Sequence, residues 1–84
     1  MKIYLISQDV NDYYDTYDSA VVIAANEEQA RNTYPGDEDG RDIDFNNCWD
    51  SGNWVKSPND VTVEYIGETD IQERRVICSS FNAG

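Results

Sequence analysis

The chain has no histidine, and it has only six basic residues against seventeen acids. Without histidine, neither a Ser-His-Asp nor a Cys-His nucleophile arrangement can be built. Zinc sites of the Cys/His type are excluded for the same reason, and no Cys-x-x-Cys pair replaces them. The shortage of bases leaves a net charge of −11, a field that repels nucleic acid and anionic membranes and attracts basic surfaces. Direct nucleic-acid binding and membrane association are therefore not expected. Cysteine is scarce too. Cys48 and Cys78 lie far apart, as in a cytosolic protein with reduced thiols. Cys78 sits in an apolar run and reads as a small core residue rather than a nucleophile. Long hydrophobic runs are missing: Ala20 to Ala25 is the most apolar stretch, far short of the ~20 residues of a membrane span. The opening Met-Lys-Ile-Tyr-Leu-Ile-Ser-Gln-Asp is too short in apolar residues for a signal peptide, so a cytoplasmic location is expected.

Aromatic residues, by contrast, are plentiful, at 12% with six Tyr and two Trp. A disordered acidic chain would be poor in them, so a folded domain with a charged exterior is expected. Residues 1–84 suffice for one domain. Its core is small, because a chain this short buries only about 60% of its unfolded surface.

In chain order, Lys2–Gln8 reads as a strand with Ile3 and Leu5 on one side and Tyr4 and Ile6 on the other, either covered on both faces or central in its sheet. Asp9–Asp18 is a polar connection, read as a wide hairpin loop. Ser19–Ala25, with β-branched Val21, Val22 and Ile23, is a buried strand. Asn26 then has the character of a helix N-cap, with Glu27 and Glu28 in the first turn and Gln29 at capping-box spacing. Pro35-Gly36 ends that helix near Tyr34, and Ala30 and Tyr34 form its buried stripe. The acid-rich loop of about residues 36–56 follows. Phe45, Cys48, Trp49 and Trp54 are expected to tuck beneath it, with a short strand near Trp54-Val55. After a turn at Ser57–Asp60, Val61–Glu68 and Arg74–Phe81 are strands. In the latter, Val76 and Cys78 should share one face. The fold expected is α+β: a small antiparallel sheet of about four strands, in sequence order β-β-α-β-β, with one short helix on one face.

Two clusters of acids are the candidate functional groups. Asp9, Asp12, Asp15 and Asp18 recur every third residue, interleaved with Tyr13, Tyr14 and Tyr17. Tyrosine gives rigid contact area with a polar tip and is enriched at interfaces. Carboxylates at intervals can imitate a line of phosphates, which in duplex DNA present one charge per about 1.7 Å of axis. Asp37, Glu38, Asp39, Asp42 and Asp44 form a second acidic patch. The bland reading is that both sets are solvated faces serving solubility. An EF-hand does not fit the second set. Although Gly40 follows Asp39 directly, Pro35 stands where the first Asp belongs, and no downstream helix is apparent. A loose calcium or magnesium site is the residual alternative; no metal and no cofactor is the expectation. Because Gly36–Asn53 contains Gly36, Gly40 and Gly52, it is expected to be more mobile than the Asp9–Asp18 connection. An 84-residue domain with one helix has little room for a substrate cleft, which argues against an enzyme.

Tyr14-Asp15-Thr16-Tyr17-Asp18-Ser19-Ala20-Val21-Val22 resembles a group of small acidic bacteriophage and prophage proteins. The likeness extends to Met1–Gln8, to Glu28–Arg31, to Tyr65-Ile66-Gly67-Glu68 within Val61–Glu68, and to Ser80-Phe81-Asn82-Ala83-Gly84. It does not cover Gly36–Asn53. The resemblance implies phage origin and carries no active site. By analogy with small acidic phage proteins, it suggests an anti-CRISPR or anti-restriction inhibitor. Such a protein would act in the bacterial cytoplasm on a host nucleic-acid-binding complex with a basic surface. A phage assembly module, acidic for solubility, is the alternative.

Overall fold

The structure is a computed structural model that describes residues 1–12 and 14–82. Four antiparallel strands form one sheet: β1 (Lys2–Ser7), β2 (Thr16–Ala24), β3 (Thr62–Glu68) and β4 (Arg75–Asn82), in spatial order β3-β1-β2-β4. The α+β architecture follows from the chain's patterning, and β1 is central as its apolar residues on both faces require. The β1–β2 hairpin sets the register, pairing Ile3 with Ile23, Leu5 with Val21 and Tyr4 with Val22.

Tyr4, Ile6, Ala20, Val22 and Ala24 point to the covered face and build the core with Ala30, Tyr34, Ile43, Trp54, Val55 and Val61. Helix α1 (Glu27–Arg31) packs there against β1, β2 and β3. Its start is capped as the sequence indicates. The Gln29 backbone N–H donates to Asn26 Oδ1 at 2.8 Å, while Gln29 Oε1 accepts from the Ala25 N–H at 2.8 Å. The helix stops at Arg31, short of the predicted Tyr34. Thr33 leaves it to bridge Asp42, and the Tyr34 N–H donates to Arg41 O. Tyr34 is nevertheless buried, at 5% exposure.

The acid-rich segment and β4 depart from the sequence pattern. A second helix, α2 (Cys48–Asn53), occupies part of the acid-rich segment, capped by Asn47, whose side chain accepts from the Trp49 N–H. Trp54 and Val55 are buried as anticipated, but lie outside any strand. Cys48 and Trp49 face solvent instead of tucking under the loop. Cys78 is also exposed. The cause is a register shift between Val21 and Val22: Val76 pairs with core-facing Val22, whereas Cys78 pairs with Val21. One extra residue reverses the side-chain alternation, so Val76 and Cys78 lie on opposite faces.

The 36–53 segment is also tied down more firmly than its glycines suggest. The Val76 N–H donates to Glu38 O at 3.0 Å, and Arg74 pairs with Asp42 at 2.7 Å. Gly40 has φ +72° and lies against Arg75, where a Cβ would fall 3.0 Å from the Arg75 Cα. That position needs glycine for both its backbone angle and its close approach.

Candidate partner-binding cleft

The β1–β2 connection is organised by Gln8. Its amide donates to Asn11 O at 2.7 Å and Tyr17 O at 2.9 Å, and its carbonyl accepts the Val10 and Asn11 N–H groups. Asn11 in turn donates to Gly52 O and Trp54 O, fastening the connection to the end of α2. At the other end the Asp15 N–H donates to Asn82 O at 2.6 Å. Asp15 holds φ 60°, a left-handed conformation that Asp tolerates better than most residues. Thr16–Asp18 then belongs to β2, so only residues 8–15 form the connection. Asp9, Asp12, Tyr14 and Asp15 are exposed on this braced segment, as is Asp18 where the β2–β4 register shifts. Tyr13 lies outside the described residues. Tyr17 is half-buried, its ring tilted against Phe81 at 4.7 Å and edge-on to Tyr34 at 6.2 Å.

The second acidic set is more heterogeneous. Glu38, Asp39 and Asp44 are exposed. Asp42 is engaged by Arg74, and Asp37 accepts the Asp39 N–H and lies 3.4 Å from Arg41. Among the described residues, no three ligands converge as a metal site would require. A helix does follow the acid-rich loop, but it does not create such a site.

The two sets, separate in sequence, meet at a cleft of about 590 Å³. Asp15 and Tyr17 contribute from the β2 side, Asp37 and Arg41 from the acidic segment, and Trp49 from α2, with Tyr34, Asn53 and Phe81 completing the walls. Asp9, Asp12 and Asp18 lie outside it. Trp49, 72% exposed, stands at the mouth. The Arg41 guanidinium lies 4.5 Å from the Tyr34 ring centre and forms a fork with buried Asp50, at 2.7 and 2.9 Å. Asp50 also accepts the Asp44 N–H at 3.0 Å. These hydrogen bonds, the Arg41 fork foremost, hold the Asp50 carboxyl below its ordinary range despite burial.

Burial raises the Tyr34 phenol above its usual value, with smaller upward contributions from Tyr17 and Asp50; the Asn53 hydrogen bond and Arg41 pull it back. The folded state therefore favours neutral Tyr34. That stabilisation is present below the ordinary tyrosine value of about 10 and is lost as pH rises through the higher folded value. In an absorbance titration at alkaline pH, Tyr34→Phe should remove a late-ionising phase. A variant curve that loses an ordinary phase instead would contradict the assignment.

Comparison with protein-family models, curated proteins and solved structures finds no match. The functional reading therefore rests on the residues themselves. Arg41, Trp49, Asn53 and Phe81 are absent from the sequence-derived site: Trp49 reads from the sequence as buried beneath the acid-rich loop, and Phe81 as the end of the last strand.

Proposed function

We propose that the protein is a non-enzymatic binding protein: a phage-encoded inhibitor that docks its acidic, aromatic surface on the basic, nucleic-acid-binding face of a host defence complex. One observation supports this most: Asp15 and Asp37, from two acidic segments, converge on one cleft beside exposed Trp49. A surface acidic only for solubility has no need to gather exposed aromatic area between its carboxylates. The phage and host assignments come from the sequence resemblance.

Among Asp12, Asp15, Asp18, Asp39, Asp42 and Asp44, only Asp15 lines the cleft, and Asp42 is already paired with Arg74. Asp12, Asp15 and Asp18 to Asn should weaken binding to the effector more than Asp39, Asp42 and Asp44 to Asn, although both triple changes remove the same formal charge. Asn is the appropriate replacement at Asp15 because it accepts the left-handed backbone. Isothermal titration at two salt concentrations separates the outcomes. Equal losses that vanish together at high salt would reduce the acids to a diffuse field, and a larger loss from the second set would place the contact elsewhere. The assembly-module alternative draws on exposed Ile66 and Ile77 on the two outer strands. It predicts self-association or binding to another phage protein with little salt sensitivity.

A further inference from the structure

We infer that the cleft between Asp15, Asp37 and Trp49 is a receptor for a single arginine side chain presented by the protein partner. This rests on the acidic-surface reading above and gives it a specific anchor point. Three features select the ligand chemistry. First, Tyr17, Phe81 and Trp49 supply aromatic surface, to which a guanidinium is attracted by the ring quadrupole. Second, the charges of the cleft do not cancel. Arg41 is shared between the Asp50 fork and Asp37, 3.4 Å away, so one positive charge faces three carboxylates and Asp15 supplies the uncompensated charge at the rim. Among the described residues no ion pair engages Asp15. Third, the site already holds a cation in the same chemistry: Arg41 lies over Tyr34 while its nitrogens meet carboxylates. An incoming arginine would repeat that arrangement, its planar face against Trp49 or Phe81 and its edge toward Asp15.

Other ligand classes fit less well. Phosphate or a nucleotide would meet Asp15 and Asp37 and be repelled. Lysine can enter, but a compact ammonium neither stacks as a plane nor forks onto a carboxylate. The Asp15 backbone, fixed in a left-handed conformation by its N–H bond to Asn82 O, holds the carboxylate's attachment point at the rim before any partner arrives. Such preorganisation lowers the ordering cost of binding.

The test uses three capped tripeptides, Gly-Arg-Gly, Gly-Lys-Gly and Gly-citrulline-Gly, titrated into the isotope-labelled protein and followed by NMR. Citrulline keeps arginine's shape without its charge. The arginine peptide should shift the Trp49 indole N–H and the Asp15 and Tyr17 amides saturably. Lysine should bind roughly tenfold more weakly, and citrulline should produce no saturable shift. Trp49→Ala and Asp15→Asn, both at exposed positions, should each weaken arginine binding while leaving the remaining amide spectrum folded. Equal binding of arginine and lysine, or shifts spread over Asp9, Asp39 and Asp44 without the cleft, would overturn the inference. So would unaltered arginine binding in both folded variants. Arginine binding by a protein that displaces DNA from no effector upholds the cleft and sinks the proposed target. Displacement without cleft shifts does the reverse.

Discussion

Trp54→Ala should destabilise the protein by about 3–5 kcal/mol, enough to unfold much of the population. Trp54 has no exposed surface and is the largest of the fully buried side chains. It follows α2, whose Asp50 O accepts the Trp54 N–H at 3.1 Å, and its own carbonyl accepts Asn11 Nδ2 at 3.0 Å. The Trp54 backbone thus fastens α2 to the β1–β2 connection, while its side chain belongs to the core cluster with Tyr4, Ile6, Val22 and Tyr34, where alanine leaves a cavity. A domain of this size has roughly 4–13 kcal/mol of stability in total, so the loss is a large share. Trp54→Phe is the informative control. It keeps a ring in the core and removes an indole N–H that is buried without an acceptor among the described residues, a group that costs about 1–3 kcal/mol when unsatisfied. Its loss should stay below about 2 kcal/mol. Urea denaturation of the three proteins checks both values. Equal losses for Ala and Phe would show that the indole does not fill the core as described.

Arg41→Ala should have the next largest effect, and an unusual pH dependence. Asp50 is buried, its side chain 1% exposed, whereas Arg41 is 44% exposed. Removing the arginine strands a buried carboxylate with the Asp44 N–H as its remaining hydrogen bond in this group. Breaking a fully buried pair costs about 3–5 kcal/mol. The exposure of Arg41 reduces this to about 2–3 kcal/mol, since water screens its half of the pair. In the parent, the folded-state Asp50 pKa is depressed, mainly by the Arg41 hydrogen bonds. Its contribution is thus present above the unfolded value of about 3.9 and is lost as pH falls through the lower folded value. In Arg41→Ala, burial outweighs the Asp44 hydrogen bond and pushes Asp50 upward. The variant should consequently regain ground as pH falls toward 4, and the stability gap between the two proteins should narrow. Urea melts from pH 7 to pH 3 measure this gap; a constant gap would contradict the account.

Much of the fold is legible from local rules that tertiary packing does not override. Asn26 and Gln29 mark the start of α1, and the β-branched run Val21–Ile23 marks the buried strand. The hidden part is α2. Asn47 and Asp50 have the same cap-to-third-position spacing as Asn26 and Gln29. Yet six residues containing Gly52 and exposed Cys48 and Trp49 show no apolar helical stripe. Its stability comes from the local Asn47 cap together with the Arg41–Asp50 fork and the packing of Trp54, the last two dependent on tertiary structure. The exposure of Cys78 was hidden for a different reason: strict alternation fails where an unseen register shift adds a residue. For the site, the acids could be identified from sequence, but their convergence could not. Asp15 and Asp37 share a cleft because contacts distant in sequence, Arg74–Asp42 and Val76–Glu38 among them, hold the acidic segment against the start of β4.

The central claim is that this acidic, aromatic surface occupies the place of nucleic acid on a basic protein. Competition tests it most directly: purified protein titrated into candidate host CRISPR and restriction complexes bound to labelled DNA, at low and at moderate salt. A nucleic-acid mimic should displace DNA stoichiometrically from a specific effector, with displacement weakened by salt and by Asp15→Asn or Trp49→Ala. If no effector loses DNA and none binds the protein at either salt concentration, the account is wrong.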